Sequence, residues 1–102
     1  MAKPDDLPRY RSNLQGEIDG AAVYAALAES EADPKLAEIF RRLAAVEQAH
    51  GDFWRKRIEA EGARFATAPS GRARILAAGA ALRPVIRAAD ARRQRGARQR
   101  RL

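Results

Sequence analysis

At 102 residues the chain holds one small domain at most, a size that buries a modest core and gains from oligomerisation or a metal. It has no cysteine, which excludes disulfides and thiolate sites; a metal would be held by Asp, Glu and His, a donor set favouring iron, manganese or magnesium over structural zinc. The net charge of +7 hides two halves, since residues 1–62 carry nine Lys/Arg against twelve Asp/Glu (−3) and residues 63–102 carry eleven Arg against Asp90 alone (+10).

The first helix is expected from about Pro8 to Glu31. RSNLQGEIDGAAVYAALAESE is alanine-rich and free of proline, and Pro8 suits a first helical turn. EADPKL breaks it: Asp33 can cap a second helix with Pro34 at its first position. That helix should run to about Glu61, where Gly62 offers a C-terminal cap. Two long helices joined by so short a break must fold back as an antiparallel hairpin. After a loop in ARFATAPSG, RARILAAGAALRPVIRAAD carries a third helical pattern with Ile75, Leu82 and Ile86 on one face, kinked or shortened at Pro84. From Arg92, RRQRGARQRRL is nearly free of apolar residues and is expected to be disordered without a partner. The reading is an all-α chain in three parts: a hairpin over residues 1–62, a loop and third helix over 63–91, and a basic tail over 92–102.

The hairpin's apolar stripes carry unusual residues. On the second helix Leu36, Phe40, Leu43, Glu47, His50 and Trp54 recur at helical spacing, and on the first so do Leu14, Glu17, Ala21, Tyr24, Ala28 and Glu31. A glutamate thus stands near the middle of each stripe, where burial of a lone carboxylate is strongly unfavourable without a counter-charge or metal. Glu17 precedes the turn by about 15 residues and Glu47 follows it by about 15, so both lie roughly 22 Å from it, level across the helix pair. His50, the single histidine, is one turn beyond Glu47 on the same face. With seven glutamates in 102 residues, chance puts one three positions before that histidine in only about 7% of arrangements. One carboxylate facing a Glu-x-x-His pair is half of a di-iron carboxylate pattern.

Glu17, Tyr24, Glu47 and His50, set in EIDGAAVYAALAESEADPKLAEIFRRLAAVEQAHGDFW, resemble the ferritin-like superfamily, which includes rubrerythrins. Two branches look most alike. One is the encapsulated ferritins, two-helix chains that dimerise around the iron site; the other is the ferritin-like domain before a vacuolar-iron-transporter-type membrane domain, as in membrane-bound ferritin. The resemblance covers about residues 9–62. Residues 63–102 hold no glutamate and no histidine, so the missing half of the site must come from a second copy. Paired Glu17, Glu47 and His50 around a two-fold axis would give six protein ligands to two irons shared between chains. The fold then expected is a four-helix bundle formed by dimerisation, and the activity implied is ferroxidase-type oxidation of Fe(II) in iron storage or detoxification. A rubrerythrin-like peroxide reductase is the alternative, and without cysteine it would need a separate reductant. A basic helical module binding nucleic acid or a scaffold is the alternative from another class, but phosphate binding gains nothing from carboxylates on a core stripe.

Tyr24 and Trp54 are candidates to contact the ligands from behind; for Tyr24 a hydrogen bond through its hydroxyl or a redox role stands level with core packing, and for Trp54 packing is favoured over electron transfer. Glu29 and Glu31, near the turn, are expected to be solvated, and Asp19 to face outward. The arginine-rich tail would attract polyanions weakly. A shell or an iron transporter is a partner the resemblance implies, although GARQRRL matches the shell-targeting peptide of encapsulated ferritins poorly. No apolar run reaches the roughly 18 residues that span a bilayer, and MAKPDDLPRY lacks the apolar segment of a secretory signal, so the expected compartment is the cytoplasm, inside a protein compartment if a shell is the partner.

Overall fold

The structure is a computed structural model that describes residues 6–65 and 67–101. It contains four helices: α1 (Asp6–Ser30), α2 (Pro34–Ala60), α3 (Gly71–Ala81) and α4 (Arg83–Arg101), with no strand among the described residues. The all-α hairpin expected from the sequence is present. Asp33 caps α2, its carboxylate accepting from the Lys35 N–H at 3.0 Å, and Pro34 opens the helix. The other end closes at Gly62, whose φ of 68° is the left-handed value glycine adopts without strain. There the Ala63 N–H bonds the Ile58 carbonyl and the Gly62 N–H bonds that of Glu59, the paired pattern that satisfies the last carbonyls of a helix.

Packing along the hairpin is uneven. At the end away from the turn, Tyr10, Leu14 and Ile58 form a buried cluster with Leu7, Ile18, Trp54, Ala63 and Phe65 against it. Toward the turn α2 buries small residues, Ala37, Ala44 and Gly51, at intervals of seven with Ile58. Small side chains at a seam let two helix backbones come close. This corrects the stripe expected from the sequence. Leu36, Phe40, Glu47 and Trp54 are only half-buried, and Leu43 and His50 are exposed, because the alanines and glycine occupy the seam itself.

The return of the chain after α2 is tied to α1. The Gln15 amide donates to the Ala68 carbonyl, and the Arg11 guanidinium donates to the Arg64 carbonyl. Asp19 receives the Ser70 N–H at 2.8 Å and the Ser70 hydroxyl at 2.6 Å, while Ser70 caps α3 by accepting from the Ala73 N–H. Asp19 was expected to face outward; instead it fixes the start of α3 on α1. Burial works against ionisation of this carboxyl, but the Ser70 amide and hydroxyl and the Gln15 amide together hold it below the usual aspartate range. A carboxyl lowered by folding stabilises the fold above its unfolded pKa and loses that contribution as pH falls through its folded pKa. Asp19→Ala should therefore lose about 1–2 kcal/mol at neutral pH. Urea unfolding of both proteins should show the gap narrowing below the normal aspartate range; a gap independent of pH would refute the role given to ionised Asp19.

Two further expectations need correction. Glu31 is not solvated: its side chain is 4% exposed and meets Arg83 at 3.4 Å. Residues 92–101 are not disordered but continue α4. Pro84 ends α3 and lies in the first turn of α4, where proline is tolerated, and the Ala, Arg and Gln that follow are good helix formers. Among the described contacts α4 meets the hairpin through the Arg83–Glu31 pair and joins α3 at its start, and the chain measures 72 × 24 × 16 Å. Leu102 lies outside the described residues.

Candidate metal centre

Glu17 sits near the middle of α1, and Glu47 and His50 lie one turn apart on α2. The antiparallel hairpin brings them together: one donor atom from each lies within 4.8 Å of the others. The His50 Nδ1 stands 3.6 Å from the Glu17 Oε2. The three differ in exposure. The Glu17 side chain is 21% exposed and that of His50 58%, so the group opens outward on the imidazole side.

Glu47 is the electrostatically stressed member. A hydrogen bond with the Glu17 carboxyl, then burial, then the charge of Glu17 push its pKa up, and His50 opposes them in part. Two carboxyl groups in contact disfavour being ionised together, and a cation between them relieves the repulsion. Oxygen donors from two carboxylates beside a ring nitrogen make up the donor set that imidazole- and carboxylate-binding metals such as iron take. On donor chemistry, then, these residues fit a metal.

Gly20 explains how Glu47 reaches its place. A Cβ built on Gly20 would lie 3.0 Å from the Glu47 Oε2 and 3.2 Å from its carboxyl carbon. The carboxylate therefore occupies space that any other residue at position 20 would fill. The helical pattern of the sequence does not single out Gly20. Its signal was a glycine inside an otherwise continuous helix, unfavourable there by about 1 kcal/mol and usually kept for a packing reason.

Tyr24 and Trp54 make aromatic contacts. Tyr24 stacks on Phe40 with ring centroids 6.4 Å apart, and Trp54 meets Tyr10 at 5.5 Å and Phe53 edge-on at 5.0 Å. Tyr24 also lines an open groove of about 430 Å³ between α1 and α3, with Asp19, Gly20, Arg72 and Leu76. The groove lies beside the carboxylates; none of the three grouped residues lines it.

A helical hairpin that brings two carboxylates and an imidazole together is consistent with a ferritin-like fold, and the three residues could hold a metal ion. Comparison with known families agrees. The rubrerythrin family model matches residues 11–74, and the chain belongs to that family. The matched segment runs from α1 through α2 to the first turn of α3. Among the curated proteins and among the solved structures, nothing matches. Membership implies an iron-binding domain of the di-iron type.

Proposed function

We propose that two copies of this chain bind a pair of irons through Glu17, Glu47 and His50 of each, and oxidise Fe(II). The observation that carries the reading is the meeting of these three side chains on a rubrerythrin-family hairpin. Half a site per chain is the argument for a second copy. The hairpin supplies two carboxylates and one imidazole, whereas the complete pattern takes twice that set. A pair of irons bound there supplies the one-electron steps that carry charge to dioxygen or peroxide.

The residues have separable tasks. Glu17 and Glu47 would offer carboxylate oxygens to the irons, and a positive charge between them would relieve the contact that pushes the Glu47 pKa up. His50 would add a ring nitrogen from the open side. Gly20 leaves the Glu47 carboxylate room against α1. The Tyr10, Leu14 and Ile58 cluster, with Trp54 packed against it, holds the two helices together at the end of the hairpin away from the turn.

Ferroxidase and peroxide-reductase readings are separated by anaerobic loading followed by oxidant. The expected load is about one iron per chain, and about two Fe(II) should be consumed per dioxygen reduced to peroxide. Rapid turnover with peroxide but not dioxygen would favour the reductase. No iron retained at all would remove both.

Gly20 offers a second test with a built-in control. Nothing lies within 4 Å of a Cβ on Gly16. Gly16→Ala should raise the stability of the metal-free protein by about 0.5–1 kcal/mol, as alanine does in a helix, and Gly20→Ala by less, because the Glu47 carboxylate must move to make room. Only Gly20→Ala should weaken metal binding, by about tenfold, because it displaces a ligand. Titration with Co(II), set against urea unfolding, reads both effects. Equal metal affinity in the two variants would show that Glu47 is not held this way.

A further inference from the structure

The outward face of α3 is apolar and bare. Ala73 and Ala80 are the buried residues of α3, and the helix packs on α1. On the opposite side Ile75, Gly79 and Leu82 follow one another at helical spacing, Ile75 being 74% exposed and Leu82 55%. Leu76 is half exposed at the flank. Arg72 and Arg74, both exposed, lie on either side of this stripe, roughly 60° and 100° away around the helix. Immediately after it, α4 carries eight arginines and one acid over nineteen residues, a positive rod about 28 Å long.

We propose that α3 and α4 form a docking surface for anionic lipid bilayers, with Ile75 and Leu82 entering the interface and the arginines lying among the headgroups. An apolar stripe flanked by arginine is the pattern of a helix that lies in a membrane surface, and clustered arginine near it adds attraction to anionic lipid. No helix among the described residues is long and apolar enough to cross a membrane, so the contact is with the surface. Nucleic acid would satisfy the arginines but offers nothing to exposed isoleucine and leucine. A second copy is a poor occupant because residues 63–102 carry +10 and repel themselves. The exposed α2 residues Ile39, Leu43, Val46 and Phe53, on the net-negative half of the chain, remain available to meet another copy. This surface shares no residue with the proposed iron site and stands whether or not that site binds iron.

Flotation of the full chain with vesicles tests the proposal. The lipids are neutral phosphatidylcholine alone, or the same lipid with phosphatidylserine. Binding is expected only to the anionic vesicles and should weaken as salt rises. Ile75→Ser with Leu82→Ser leaves the charge unchanged and should reduce vesicle binding at least tenfold. Arg92→Gln, Arg93→Gln and Arg95→Gln together should reduce it comparably, with helix content retained by circular dichroism. Vesicle binding untouched by the Ile75/Leu82 change would overturn the docking surface. So would capture of duplex DNA by both chains alike in the absence of vesicle binding, which would assign the arginines to nucleic acid. A fall in solution mass on the Ile75/Leu82 change, without vesicle binding, would assign the face to a second copy.

Discussion

His50→Ala is expected to lower iron-dependent oxygen consumption by at least tenfold, about the least that loss of a metal-binding contact produces, while leaving the fold intact. Both halves of that expectation come from the same geometry. The imidazole is the one nitrogen donor in the group, held 3.6 Å from Glu17. Its side chain is also 58% exposed, so its removal opens no cavity, and a change at such a position shifts stability by about 0.5 kcal/mol or less. Loss of activity with unchanged helix content therefore separates a ligand from a structural residue. Wild-type oxidation by the variant would end the assignment. A variant that unfolds would contradict the exposure of His50. Loaded iron per chain, measured on the same preparations, shows whether the defect lies in binding or in turnover.

The second large effect concerns assembly. Ile39, Leu43, Val46 and Phe53 are exposed on α2, and with His50 between the last two they follow spacings of 4, 3, 4 and 3. This stripe lies outside the seam of Ala37, Ala44 and Gly51 and runs through the candidate ligand, so a second copy docking there, as proposed, would be positioned to complete the site. Each such side chain covered on association contributes about 1–2 kcal/mol. Ile39→Glu puts an unpaired carboxylate on that face, about 16 Å along the helix from His50, and should weaken the dimer by at least ~100-fold. Sedimentation at micromolar concentration is expected to show a wild-type dimer tightened by Fe(II), since metal binds the assembled form. The variant should sediment as a helical monomer with little iron retained. A wild-type chain that stays monomeric when loaded would refute a shared site, and an Ile39→Glu dimer would place the interface on another face.

Sequence alone determined the local structure of the hairpin and the identity of the grouped residues. Capping is a short-range matter: Asp33, Pro34 and Gly62 act on backbone groups a few residues away, so the ends of the hairpin could be read before any contact was known. Glu17, Glu47 and His50 were legible for a related reason. Helical rise is constant, and a short turn forces two helices antiparallel, so counting residues from the turn predicts which positions lie level. Tertiary structure decided what counting cannot reach. Which edge of α2 becomes the seam depends on whether small or large residues give the closer approach, and Ala37, Ala44 and Gly51 took the place expected for larger side chains. The roles of Asp19 and Glu31 rest on partners 51 and 52 residues away, Ser70 and Arg83. Those partners come within reach only once the chain after α2 has turned back along α1. Gly20 is the same case at the site itself, a helix-weakening residue whose purpose becomes visible when the Glu47 carboxylate is seen in the space its side chain would fill.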